Sequence, residues 1–222
     1  MFWTLWLAHL TADYPLQTDR MVLAKKHWPG LIVHVSIHWV VMMLFFLPVI
    51  GVMWPFIILV ALIHFCIDAF KNFLGIKRPQ WVIGSYVLDQ TLHMISLILV
   101  MTGVAKAAEV PVWPVGSPWV IYIIGLLLAT YVWFVSERIL VYRSDNWQMS
   151  VTSAMWPRMG ARFLLFVLMA APLSISWLLT VFAVVVVAFL YRRHNYPRSW
   201  LLLDTVVALV SALIVRGILL FW

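Results

Sequence analysis

Apolar residues run in long blocks along this chain, broken by short polar or basic stretches. Leu31–Ile50, Met53–Gly75, Trp81–Val104, Trp119–Val141 and Trp200–Trp222 are each close to twenty residues or longer. About twenty apolar residues carry a helix across a bilayer's hydrocarbon core. Arg162–Tyr191 is too long for one straight span and short for two, with Pro172 in its first half. Proline removes an interior helical hydrogen bond, so this block reads as a helical hairpin turning near Pro172, with one kinked helix as the alternative. The first block, Met1 to about Asp13, is apolar but short, and Asp13-Tyr14-Pro15 stops or bends it. It reads as a short inserted helix or a re-entrant segment. Without a basic n-region or a small-x-small cleavage site, it does not read as a secretory signal peptide. The pattern predicts an all-α, polytopic transmembrane bundle of about 7–8 membrane segments, a count that follows from twenty-residue spans.

Charge gives the bundle an orientation. Basic residues cluster in alternate loops: Arg20, Lys25 and Lys26; Lys71, Lys77 and Arg78; Arg138, Arg143, Arg158 and Arg162; and Arg192, Arg193 and Arg198. The intervening turns are neutral or, near Lys106 and Glu109, nearly so. The positive-inside rule then places all 15 Lys and Arg except Lys106 and Arg216 on the cytoplasmic side, with both termini outside the cytoplasm. The expected location is a bacterial cytoplasmic (inner) membrane. Composition agrees: 65% of residues are hydrophobic and 10% charged, which excludes a soluble domain and a disordered chain. The single cysteine, Cys66, excludes a disulfide scaffold and reads as buried packing. The net charge of +7 sorts to one membrane face, so it implies topology and no nucleic-acid partner.

Ionisable residues inside spans are costly and mark function. Here they form four pairs spaced i,i+4: His9 with Asp13, His34 with His38, His64 with Asp68, and Asp89 with His93. That spacing stacks two side chains on one helix face. Lys71 extends the third stripe, and Tyr86 and Gln90 flank the fourth. With a rise of about 1.5 Å per residue, His34 and His38 lie roughly 5–11 Å inside their span, Asp68 and His64 roughly 10–16 Å, and Asp89 and His93 roughly 12–18 Å. The charge-derived topology therefore brings all four pairs to overlapping depth in the cytoplasmic third of the bilayer.

Imidazole and carboxylate are ligands for zinc and for iron or manganese. Five His and three Asp exceed what one tetrahedral ion uses. They suit one metal with hydrogen-bonded supporting residues, or two metals bridged by carboxylate. The metal ligands expected are His9, His34, His38, His64, Asp68 and His93, with Asp13, Asp89 and Lys71 in catalytic roles. The cofactor expected is a divalent metal, zinc first, with iron or manganese as alternatives. Bound water made acidic by such an ion is a nucleophile near neutral pH. A proton relay, structural polar glue between helices and bis-imidazole haem ligation are the other readings of the same residues. Lys71 with Arg20, Lys25 and Lys77 would hold an anionic headgroup or phosphate. Gln17, Asp19 and Gln90 are weaker candidates. Asp204, inside the last span, has no evident partner, since Arg216 lies about three turns away.

All four pairs precede residue 94. One membrane domain over 1–222 is expected, with a His/Asp-rich functional half, 1–104, and an apolar scaffold half, 105–222. Membrane lipids are the expected partners, with a membrane-protein partner contacting residues 119–222. The Ser/Asn/Met-rich stretch Arg143–Arg158 is a second candidate contact segment.

His9-Leu-Thr-Ala-Asp13-Tyr-Pro-Leu-Gln17-Thr-Asp19, His34-Val-Ser-Ile-His38, His64-Phe-Cys-Ile-Asp68-Ala-Phe-Lys71-Asn72 and Leu88-Asp89-Gln90-Thr-Leu-His93 resemble the motifs of a bacterial and phage family of small multi-pass membrane proteins. That family is known only as a domain of unknown function, and the resemblance covers roughly the first hundred residues. More loosely, the arrangement is similar to bacterial membrane-bound metal-dependent hydrolases, whose His and Asp lie on transmembrane helices. This second resemblance implies a hydrolase acting on a lipid, lipid-linked or phosphate-bearing substrate. The alternatives are a proton- or ion-coupled transport module and an accessory structural subunit of a larger complex.

Overall fold

The computed structural model describes residues 1–108, 118–171 and 176–220, and every regular element among them is helical. The turn expected at Pro172, and Glu109, lie outside the described residues. Two compact units divide the chain, 1–120 and 121–222.

The first unit holds α1 (Phe2–Asp13), α2 (Asp19–Ala24), α3 (Trp28–Phe45), α4 (Ile50–Lys77) and α5 (Val82–Ala108). α1 ends where Tyr14 and Pro15 follow, and Thr18 caps α2 by accepting from the Met21 N–H at 3.3 Å. Pro29 sits in the first turn of α3, where its missing N–H has no helical partner to lose. Gly30 in the same turn meets the backbone of Ala24, so a β-carbon there would collide with the α2 carboxyl end. That close approach folds α2 back on α3 and turns Lys25 inward. A short 3-10 turn, Leu47–Val49, links α3 to α4, and α4 and α5 form a hairpin through residues 78–81.

α1 has twelve residues, a length of about 18 Å, too short for a roughly 30 Å hydrocarbon core. It packs against α3 and α5, and eight of its twelve residues are buried, which explains why it is apolar on every side. Phe2, Leu5, Ala8 and Ala12 join Met42, Met53, Ile57, Leu97 and Met101 in one apolar core.

The second unit contains most of α6 (Pro118–Leu127), a π-helical stretch (Leu128–Val132), α7 (Trp133–Leu140), α8 (Asp145–Ser153), α9 (Met155–Ala170), α10 (Ser176–Arg193) and α11 (Arg198–Leu220). The block Arg162–Tyr191 thus forms parts of two helices, α9 and α10, which pack together, in place of one kinked helix. Gly125 fits α6 closely against Val215 of α11 and Phe166 of α9.

Among the described residues, five helical stretches are long and apolar enough to cross a membrane: Trp28–Phe45, Leu47–Lys77, Val82–Ala107, Pro118–Leu140 and Arg198–Leu220. Apolar side chains such as Leu44, Leu62, Leu99, Phe182 and Leu202 cover the outside of these and the other helices. The chain is an integral membrane helical protein. Cys66, expected in packing, is instead exposed. It lies midway between the inward-facing His64 and Asp68, two residues from each, so at about 100° per residue it points to the opposite side of α4. An apolar neighbourhood does not imply burial when the solvent is lipid.

Arg158 and Arg162, expected as loop cations, are both about 1% exposed. Their i,i+4 spacing on α9 turns both guanidiniums toward Asp204 of α11. Arg158 grips Asp204 through Nε and a terminal nitrogen at 2.9 and 2.8 Å and reaches Glu137 at 2.7 Å. Arg162 donates to Asp204 at 3.0 Å, and the Tyr191 hydroxyl does so at 2.6 Å. The Trp200 ring lies 4.3 Å from the Arg158 guanidinium. Two arginines against two carboxylates leave this group neutral, so the partner missing for Asp204 is a guanidinium pair on another helix. Arg216 instead donates to the Ala171 carbonyl at 2.9 Å.

Removing one member of a buried ionic group costs on the order of 3–5 kcal/mol, because its partners stay buried and uncompensated. Asp204→Ala is therefore expected to lower the thermal unfolding midpoint in detergent, followed by tryptophan fluorescence. A quadruple replacement of Asp204, Glu137, Arg158 and Arg162 by apolar residues of similar size should lose less. Equal midpoints for wild type and Asp204→Ala would contradict this account.

Candidate metal centre

Four helices of the first unit converge through their polar pairs. α1 supplies His9 and Asp13, α3 His34 and His38, α4 His64 and Asp68, and α5 Asp89 and His93. All eight are buried, at 5% exposure or less. The i,i+4 spacing is the local cause, since each helix needs only one inward face to deliver two donors.

Asp13 stands at the middle. Its Oδ1 lies 3.1 Å from His38 Nε2 and 3.3 Å from His34 Nε2, while its Oδ2 lies 3.2 Å from His9 Nε2. The two oxygens of one carboxylate thus face different imidazole sets. His34 Nε2 also lies 3.2 Å from His64 Nε2 and 3.3 Å from Asp68 Oδ2, and His64 Nε2 lies 3.6 Å from the same Asp68 oxygen. Around a tetrahedral ion bonded at about 2.0–2.1 Å, neighbouring ligand atoms stand roughly 3.3–3.4 Å apart. Several donor pairs here, at 3.1–3.3 Å, stand close to that spacing.

Three groups of donor atoms lie within 4.8 Å of one another: Asp13, His34, His38 and His64; His9, His64 and His93; and Asp68, Asp89 and His93. The imidazoles stack against each other, with ring centres 3.8 Å apart for His38 and His64 and 4.3 Å for His64 and His93.

Several nitrogens have no hydrogen-bond partner among the described residues: both of His9, Nε2 of His93, and Nδ1 of His34, His38 and His64. A buried polar atom without a partner costs free energy, and a ligated ion removes that cost. His93 is the best oriented of them. Its Nδ1 lies 2.9 Å from the Asp89 carbonyl oxygen one turn back, an arrangement that puts the proton on Nδ1 and the lone pair on Nε2.

The rim of the cluster carries two lysines. Lys71 Nζ donates to Asp89 Oδ2 at 2.6 Å, and Gln90 donates to the same oxygen at 3.0 Å. Asp89 Oδ1 accepts no hydrogen bond among the described residues and faces His93 Nδ1 at 3.5 Å. Lys25 Nζ donates to Asp68 Oδ2 at 3.3 Å. Asn72 holds the Lys25 carbonyl at 2.7 Å, which ties the α2–α3 turn to α4. Tyr14 donates to Gln90 Oε1 at 3.0 Å and lies 3.1 Å from the Tyr86 hydroxyl. Gln17 donates to the Asp13 carbonyl at 2.7 Å, bracing the end of α1.

All nine residues named as ligands or catalytic groups from the sequence therefore meet in one cluster. Gln17 and Gln90 brace it. Asp19 is exposed in the first turn of α2, as are Arg20 and Lys77 in their own segments. Lys25 is the residue whose place differs most from expectation, because it leaves the loop surface and enters the cluster. No periodicity marks it in the sequence. The close Gly30–Ala24 packing that directs it is a tertiary contact.

No curated protein and no solved structure matches this chain. Residues 1–113, which include every residue of the cluster, match the family described as "Protein of unknown function (DUF3307)", and the chain belongs to that family.

Proposed function

We propose that the cluster is a membrane-embedded binuclear metal centre and that the protein is a metal-dependent hydrolase. The observation that carries this reading is the convergence of five buried imidazoles with three carboxylates in donor groups no wider than 4.8 Å, with both nitrogens of His9 and Nε2 of His93 lacking a hydrogen-bond partner among the described residues. Asp13 would bridge, with Oδ1 serving one ion beside His34, His38 and His64, and Oδ2 serving a second beside His9. His93, which shares one donor group with His9 and another with Asp68, would link these residues to the second site. Zinc suits this nitrogen-rich set, and iron or manganese would suit its carboxylates.

Two ions a few ångström apart acidify a shared water and stabilise charge on the group under attack. Asp89 Oδ1, without a hydrogen bond among the described residues and held toward His93, is placed to take the water's proton. Lys71 and Gln90 on Oδ2 fix the carboxylate's direction. The alternating basic loops support 7–8 membrane segments in a bacterial inner membrane, with both termini outside the cytoplasm and the centre nearer the cytoplasmic face. Supporting the depth, Asp68 lies nine residues, about 14 Å, before the end of α4.

Protein purified without a polyhistidine tag is expected to carry close to two equivalents of metal by elemental analysis. His34→Ala/His38→Ala should abolish most of it while circular dichroism stays helical. Wild-type protein that neither carries metal nor takes it up on addition would refute the centre. A finer test uses Asp13→Asn, whose amide cannot bridge two ions. Its metal content should fall from two equivalents toward one, whereas Asp19→Asn should match wild type.

A further inference from the structure

The charge within the cluster identifies the kind of molecule it would act on. Asp13, Asp68 and Asp89 bring three negative charges, and Lys25 and Lys71 bring two positive ones. Imidazoles that ligate metal are neutral. Without metal the group is therefore one charge negative, and each lysine rests on a carboxylate oxygen, Asp68 Oδ2 or Asp89 Oδ2. Two divalent ions would carry it to three charges positive. A buried site does not sustain that without counter-charge. Moving a proton from a bound water to Asp89 leaves that total unchanged. A dianionic phosphoryl group would offset two of the three charges.

The lysines have the geometry for it. Both sit on oxygens of carboxylates that belong to the donor groups: an ion bound to Asp68 would weaken the hold of Lys25, and a proton taken up by Asp89 would weaken that of Lys71. The displaced ammonium is then next to the ion and can donate to a further anion. Lys25 is nearly enclosed, with 11% of its side chain exposed, and Lys71 is the more open at 28%. Lysine is an established phosphate-binding side chain because its compact charge tolerates several geometries.

We propose, on the basis of the metal-centre reading above, that the substrate presents a phosphate monoester. Lys25 gives up Asp68 for its oxygens once the metals are bound, and Lys71 gives up Asp89 once that carboxylate holds the water's proton. In the reaction, the hydroxide oxygen forms a bond to phosphorus and the P–O bond to the alcohol breaks. The leaving oxygen takes the proton that Asp89 accepted from water, so water and monoester give alcohol and inorganic phosphate. The monoester belongs either to a lipid headgroup or to a soluble molecule, and both present the same dianion.

The test uses full-length protein in detergent with its metal content measured first. Phenylphosphonate, a dianion that cannot be hydrolysed, is titrated into metal-loaded and metal-free samples by calorimetry. Binding is expected only when metal is present. Lys71→Met should weaken it on the order of tenfold or more, the size of a lost charge-assisted bond, with metal content unchanged. Lys71→Arg should restore most of it, and Lys25→Met should behave like Lys71→Met. Phosphatidic acid in mixed micelles that competes more strongly than phenylphosphonate assigns the lipid source, and weaker competition assigns the soluble one. Phosphatidylglycerol, a singly charged diester, should compete poorly in either case. A metal-loaded protein that ignores phenylphosphonate and phosphatidic acid, or binds them equally well in all the lysine variants, overturns the phosphate proposal and leaves the metal centre standing. Wild-type protein without metal overturns both.

Discussion

Burial of ionisable side chains in a medium that does not solvate them governs both units of this protein. Each charged or polar group inside the apolar bundle needs a partner from another helix, and that requirement selects how the helices meet. In the first unit the answer is eight His and Asp side chains from four helices. In the second it is two arginines shared between Asp204 and Glu137, with Tyr191 completing the set. Apolar packing surrounds each group but supplies little direction of its own, since lipid and protein interior are similarly apolar.

The two groups meet the requirement differently, and the difference carries functional meaning. The arginine group is electrically neutral and grips Asp204 bidentately, with Arg162 Nε and Glu137 Oε2 the atoms it leaves without a hydrogen bond among the described residues. The His/Asp group sets three carboxylates against two lysines at its edge and has several nitrogens unpartnered among the described residues. A neutral group stabilises a packing arrangement. One with an excess of carboxylates is ready to receive positive charge, and here several donor pairs stand close to the spacing an ion would impose. The short helix α1 is what makes the second case. It does not have the length of a span, yet it inserts His9 and Asp13 among α3, α4 and α5, and Asp13 then touches imidazoles from two helices at once.

Much of this is legible in the sequence. The apolar block lengths locate the long helices to within a few residues, and the i,i+4 pairing identifies all four pairs of the cluster, because helix periodicity alone puts such pairs on one face. What escapes a reading of the sequence is anything set by contacts between helices. Asp204 lies 46 residues from Arg158, so no local pattern links them. Arg158 and Arg162 look like loop cations by position. Lys25 looks like a third. Cys66 looks buried because in a sequence this apolar the lipid-facing side and the packed side have the same composition.

The sequence by itself thus determined that the chain is a helical membrane protein and which helix faces carry polar pairs. These follow from hydrophobic length and the 3.6-residue repeat, both local properties. Only the tertiary structure decided that the pairs converge, that Asp13 is the shared carboxylate, that two lysines stand on Asp68 and Asp89, and that a second, neutral charge group lies in the other unit. Those depend on which helices touch and at what rotation, and in an apolar solvent that choice rests on a few polar contacts far apart in the chain.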